Sequence, residues 1–534
     1  MRAAALAGAA CLAALAAFAC GRAEQPAGSE RTRLTDAAGS DATRPAASSD
    51  DERVLPGPAH FPTADASSSG SAPKRLTLTY DKTQHPKPVV GTSVEVTAEG
   101  LPPNKTVNLD WGTVEGGWVI EDYFHFRGKK YAETIRSLSQ ATTDGSGRLN
   151  ARFAIPEDFG GVHEVFVRDG GTTLAQGGVE VAQTFELSPK EGPVGTTIEL
   201  RVKGLGWRTM ESTWVVNWDN QQAGYVTAAG TKGSAVARFR ATGPAGDHTI
   251  NVLTGYMGQG YLNHEQAPNA YLPVPQFAFR VTPGRAATPA FYAEPYQRQP
   301  VPASTGVDGA AAKITPTQGP VNTKASLDVT GLPANTPVSL MWGSYEGNRV
   351  SGNGFEPIEH ELTKVTTTAA GRLSMPVSIP DDLGGRHSLS VRSGDRTLAT
   401  TYFVVETTIV SMTPASGPAG TPVTIHLKGV GWTEYDNIYV ATYDNAYMGY
   451  ACGFNTAGDV VIHFTAAGTP GVHLIDFYPG IYQGPDGGQQ LYRLPQLTYA
   501  DDHPGNRIPA LRFSFEVTPG PARGNAPRLT GDTK

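Results

Sequence analysis

The chain predicts an all-β protein of four tandem β-sandwiches, arranged as a duplicated two-sandwich unit behind a signal peptide and a disordered tether. Three observations carry this. Short runs of alternating apolar and polar residues recur between Gly and Pro along 534 residues that hold 62 Gly and 41 Pro. Such period-two alternation marks strands with one face in a core and one in water. Long helical periodicity is absent. Finally, the sequence repeats itself: GPVGTTIELRVKGLGW, from Gly192, returns without a gap as GPAGTPVTIHLKGVGW, from Gly417.

Residues 1–20, MRAAALAGAACLAALAAFAC, hold one Arg, an apolar Ala/Leu run and small residues ending at Cys20. That is a secretory signal, too short and alanine-rich for a membrane span. AFAC resembles a bacterial lipobox, which implies lipidation of Cys20 and attachment to a membrane. Ala17-Phe18-Ala19 also fits ordinary cleavage after Ala19, which would leave the protein secreted. Residues 21–75 are rich in Ser, Ala, Asp, Gly and Pro and bury too little to offset their ordering entropy. They read as a disordered tether with a coil span on the order of 40 Å.

The folded units follow at 76–183, 184–284, 313–406 and 407–520, with a Pro- and Tyr-bearing linker at 285–312 and a disordered tail at 521–534. The duplication sets these bounds. LDWGTVEG at Leu109 returns as LMWGSYEG at Leu340, and IPEDFGGVHEVFV at Ile155 as IPDDLGGRHSLSV at Ile379. Within each half, an alternating strand opened by a Gly-Thr or Asn-Thr turn occurs twice, as does a later element (GGVHEVFV, AGDHTINV, GGRHSLSV, PGVHLIDF). Four units of roughly seven short strands are the result.

In the second and fourth units, the Pro-x-x-Gly-Pro-x-Gly-Thr turn, the alternating strand and the closing Gly-x-Gly-Trp resemble the IPT/TIG domain. The match runs from Ser188 to Trp207 and from Thr413 to Trp432. The first and third units, ending Gly-Leu, fit more loosely. The resemblance implies immunoglobulin-like sandwiches of the kind found in surface, adhesion and carbohydrate-active proteins. It implies binding or spacing and transfers no catalytic residue.

Composition narrows the chemistry. A net charge of −7 without a basic stripe argues against nucleic acid. Beyond Cys11 and Cys20 the sequence holds only Cys452, so an intramolecular disulfide or a cysteine-zinc cluster in the mature body is excluded; Cys452 reads as a packing residue. His163, His248, His387 and His473 open the same strand in all four units, which suggests a corner residue bonding nearby backbone rather than a metal ligand. His125, His264, His360 and His503 read as loop residues. The pairs Glu157-Asp158 and Asp381-Asp382 read as turns before that corner. Phosphate-loop, HExxH and nucleophile-elbow motifs are missing, and neither a metal nor a cofactor is expected.

TWVVNWDNQQAGY aligns on IYVATYDNAYMGY, which reads as an Asp-Asn hairpin whose flanking aromatics are core or cross-strand pairs. Two long loops before the last strand of the second and fourth units are rich in Tyr, Gln and Asn, the composition of adaptable binding loops. The candidate ligand-binding residues are Tyr256, Tyr261, Asn263 and Tyr271 in one loop, and Tyr478, Tyr482, Gln483 and Tyr492 in the other. The sequence thus predicts a non-enzymatic, extracytoplasmic, lipid-anchored protein of the bacterial envelope that binds a surface glycan or protein. The alternative is a structural spacer or envelope-assembly component, which tyrosine rings buried against a neighbouring unit would favour.

Overall fold

The computed structural model describes residues 73–256, 258–297, 299–347, 354–453, 457–481, 494–505 and 508–524. Among them, eight sheets pair into four sandwiches, each around its own apolar cluster. In the third, Thr305–Gly306, Arg396–Val405, Gly385–Ser393, Pro337–Gly347 and Phe355–Thr366 lie side by side in that order. Ala311–Thr315, Lys324–Thr330 and Leu373–Ser378 form the opposing sheet. A three-stranded sheet facing a path of five paired strands recurs in the other three, and the second, third and fourth sandwiches each add one short strand beside that path. The chain is all-β and immunoglobulin-like.

The alternation read from sequence is the alternation of burial. Ile198, Leu200 and Val202 in Thr197–Lys203, and Val423, Ile425 and Leu427 in Pro422–Lys428, are all buried while their neighbours face outward. The Asp-Asn turns are hairpins. Asp219 and Asn220 have φ of 47° and 65°, Asp444 and Asn445 49° and 62°, the left-handed pair that a two-residue hairpin with native twist demands.

Four expectations need correction. Residues 285–312 are not a bare linker: Phe291–Ala293 pairs with Leu511–Val517, and Thr305–Gly306 with Arg396–Val405. Phe291 and Tyr296 pack on the fourth core, and that apolar contact draws the segment onto the sheets. The tether ends sooner than expected, because Lys74–Arg75 already pairs with Thr172–Val181. The strands are not uniformly short. Thr106–Glu121 and His125–Thr142, of 16 and 18 residues, form an arm extending beyond the first sandwich. His125 consequently lies in a strand, and His360 lies in Phe355–Thr366 opposite Trp342, so neither is a loop residue.

The tip of that arm joins the sandwiches. The Tyr123 carbonyl accepts the Tyr435 hydroxyl at 2.6 Å, and the Phe126 N–H donates to Glu434 Oε2 at 2.6 Å. Phe124 stacks on Trp432 with centroids 5.2 Å apart. Tyr123 adopts φ 59°, a conformation non-glycine residues keep only where surrounding contacts over-determine it. Across the second and fourth sandwiches, Asp476 lies between Arg240 (2.6 Å) and Arg512 (3.3 Å), with all three side chains buried. Arg512 also reaches Glu294 at 2.8 Å.

Candidate functional site

The candidate residues of the second sandwich share one loop, folded onto its own domain. Tyr256 ends the strand Gly246–Tyr256 and is half-buried. The half-buried Tyr261 directs its hydroxyl at Met210 Sδ, 3.5 Å away. Asn263 is exposed. Tyr271, 38% exposed, donates to Glu211 Oε1 at 2.5 Å. Burial holds the Glu211 carboxyl above the usual carboxylate range. Two of the loop's hydroxyls thus pin it to Met210 and Glu211.

The fourth-sandwich set separates. Tyr482, Gln483 and Tyr492 lie outside the described residues, as does Cys20. Tyr478 is not a loop residue: it sits in Gly471–Gly480, fully buried, with the Arg512 guanidinium 4.8 Å from its ring centre. Its apolar ring is more stable between two sandwiches than in water, so it cannot offer a face to a ligand. The stretch after residue 493 docks on the second sandwich. Tyr225 exchanges backbone bonds with Pro495 and Leu497, both 2.8 Å, while Leu497 and Tyr499 enter the second core. Asp502, its pKa pushed up to about 6 by burial, accepts the N–H groups of Ala229 (2.9 Å) and Gly230 (2.6 Å).

The four corner histidines are structural. His163 and His387 each set their two ring nitrogens against two carbonyls, Gly112 with Phe159 and Gly343 with Leu383, and a neutral ring donates to one of the two. His248 and His473 bridge a carboxylate, Asp219 or Asp444, and a carbonyl. Each imidazole stacks on an aromatic of the neighbouring strand: Trp111, Trp218, Trp342 or Tyr443. Asp158 and Asp382 accept the indole N–H of Trp111 and Trp342 at 2.9 and 2.8 Å. Those two carboxylates thus anchor the core tryptophans, a role their turn composition did not reveal.

A further site was missed in the sequence. On the outer face of the third sandwich, one register row runs Tyr402, Ser388, Gly343, Glu359 across four strands. Gly343 makes the floor low, because a Cβ there would run into Ser388 Oγ. The result is a groove of about 500 Å³, lined also by Ser344, Tyr345 and Arg386. Its end wall comes from other sandwiches. Tyr345 stacks on Trp432 at 3.5 Å, and the Arg386 guanidinium packs over the Tyr123 ring of the arm, 3.8 Å from the ring centre. Burial raises the Tyr345 phenol above its ordinary pKa, so Tyr345 is a neutral donor.

A signal for this groove lay in the duplication. The equivalents of Tyr345, Arg386, Ser388 and Tyr402 in the first sandwich are Val114, Val162, Glu164 and Gly178. Two sandwiches with the same core thus carry different outer faces.

No protein-family model matches the chain, and no curated protein matches it; the IPT/TIG resemblance rests on the motif residues alone. Among solved structures, similarity is found to Escherichia coli α2-macroglobulin activated by porcine elastase, at 12% identity and a TM-score of 0.15, covering 84% of this chain and 45% of that one. The D0–D1 domain of intimin gives 19% identity and a TM-score of 0.13 over 32% of this chain and 91% of that one. A membrane-anchored protein from Corynebacterium diphtheriae gives 10% identity and a TM-score of 0.16, over 62% and 91%. The chain spans less than half the length of the first of these. At such TM-scores the likenesses carry no argument about function.

Proposed function

We propose that the chain is a non-enzymatic binding protein of the bacterial cell envelope, held by a lipid on Cys20 and a tether, with its four sandwiches acting as one stand for a binding face. The observation that carries this reading is the groove of the third sandwich. Among the described residues, the Arg386 guanidinium makes no ion pair or hydrogen bond, and the Ser388 hydroxyl makes no hydrogen bond. Elsewhere in this body, buried arginines such as Arg240 and Arg512 are paired. Polar groups gathered in a concave site without internal partners are the ordinary material of recognition.

One observation favours the spacer reading instead. The fourth-sandwich loop, expected to bind, is spent in part on cementing the second sandwich through Pro495, Leu497, Tyr499 and Asp502. Retention of isolated envelope fractions and of arrayed glycans by the full-length protein in detergent separates the two. Specific retention supports the binding reading; background retention of both materials leaves the spacer.

A further inference from the structure

We infer that the groove of the third sandwich binds a carboxylate-bearing saccharide, with Arg386 taking the carboxylate and Ser388 and Glu359 taking ring hydroxyls. This rests on the binding reading above and names its ligand class.

The chemistry follows from the row of side chains. Arg386 is clamped by its contact with Tyr123, and Tyr402 stands 5.8 Å from the same guanidinium. A guanidinium packed over a ring face spends its own face on that contact and keeps its N–H edge available for a two-pronged bond to a planar carboxylate. Arg386 is half-buried, so such a bond is less screened than one on an open surface. At the other end Glu359 is exposed and held by Arg392 at 2.6 Å. That pairing removes its charge from the balance yet leaves carboxylate lone pairs for hydroxyl donors. The groove therefore has one uncompensated positive end and one hydroxyl-accepting end.

Between them lie a small hydroxylated residue and an aromatic. Ser388 and Gly343 form the floor, and Tyr402 is the side wall. Hydroxyls that act as both donor and acceptor beside an aromatic ring suit a polyhydroxylated ring with apolar C–H faces. The groove's volume of about 500 Å³ lies within the range of small-ligand sites, roughly 300–1,000 Å³. An acidic peptide fits less well. Peptides held by sheets add to an edge, where backbone groups are unpaired; here the floor strands Gly385–Ser393 and Pro337–Gly347 are paired on both sides. The first sandwich, with Val114, Val162 and Glu164 in these places, offers neither the cation nor the hydroxyls.

The test uses full-length protein in detergent, titrated calorimetrically with galacturonate, glucuronate and N-acetylneuraminate oligosaccharides and with neutral galactose oligomers. At least one acidic series is expected to bind about tenfold or more tighter than the neutral one. Arg386→Gln should remove about the same factor. Because Arg386 also packs on the arm, Ser388→Val serves as the second variant; it fills the floor and should abolish binding without lowering the melting temperature. Equal affinity for acidic and neutral sugars, or full affinity in both variants, overturns the inference. So does tighter Arg386-dependent binding of a glutamate-rich peptide. Envelope or glycan retention that survives both substitutions would sink this site while leaving the binding reading standing. Absence of any retention would remove both.

Discussion

Replacing Asp476 by Asn probes whether the second and fourth sandwiches form one body. Asp476 is 1% exposed and faces Arg240 at 2.6 Å and Arg512 at 3.3 Å. Coulomb attraction for each such pair is about 4 kcal/mol at an effective dielectric near 20, and desolvation of the three ions offsets much of it. The pairs therefore contribute little net stability while intact. Asn keeps the shape but leaves two buried guanidinium groups facing each other. Arg240 would retain the Phe513 carbonyl at 2.7 Å, and Arg512 would retain Glu294. Removing one partner of a buried pair costs about 3–5 kcal/mol, and these remaining contacts place the expected loss near about 3 kcal/mol. Arg240→Met with Asp476→Leu should recover most of it, because a packed apolar pair carries no desolvation cost. The assay is urea unfolding of the full chain, with hydrogen exchange read at Ala235–Arg240 and Leu511–Val517. Exchange should accelerate in both strands together in Asp476→Asn. A loss below about 1 kcal/mol, with unchanged exchange in both strands, would refute the reasoning.

The histidine corners predict opposite pH responses in two sandwiches. Burial holds the His163 imidazole below its ordinary 6.5, so the stability it contributes is complete above 6.5 and is lost as pH falls through its folded value. Asp444 holds His473 above 6.5, so its contribution is complete below 6.5 and is lost as pH rises through its folded value. Acidification from about pH 8 to about pH 5.5 should lower exchange protection in the first core and raise it in the fourth; a common sign in both contradicts this. Tyr271→Phe removes the donor to the buried Glu211 carboxylate and should cost about 1–3 kcal/mol in thermal melting, whereas an unchanged melting temperature with weakened partner binding would make Tyr271 a ligand contact. Cys20→Ser should shift the protein out of the detergent phase in phase partitioning if diacyl chains supply the attachment; unchanged partitioning excludes that anchor.

Burial and repetition made the fold legible, because both leave marks at short range. Ile198, Leu200 and Val202 announce a one-faced strand within seven residues, and the Leu109 and Leu340 octets announce the duplication without reference to packing. The corner histidines were legible for the same reason, since their place relative to Gly recurs four times. The fourth-sandwich loop misled because tyrosine and glutamine serve a ligand and a neighbouring sandwich equally well. Nothing local tells Tyr478 that Arg512 and Tyr499 will cover it. The groove was hidden by register: Tyr402, Ser388, Gly343 and Glu359 come from four strands and meet only when pairing sets them in one row. His125 was misplaced because the arm strands run on past the core, where alternation weakens, and His360 because its strand Phe355–Thr366 holds no fully buried residue to mark a core face.

The arm also fixes an order of events in biogenesis. Its tip carries Tyr123, Phe124 and Phe126, and it bonds Tyr435 and Glu434 across sequence separations of 312 and 308 residues. At synthesis rates of about 5–20 residues per second those partners arrive on the order of 15–60 s later. For that interval a folded first sandwich holds out an aromatic-tipped ribbon with no dock, a form prone to pairing with the wrong chain. Shortening the arm would lift this hazard at the expense of the wall behind Arg386. A holdase that favours exposed aromatics is therefore the kind of factor whose removal should lower the yield of this protein before that of one with self-contained sandwiches.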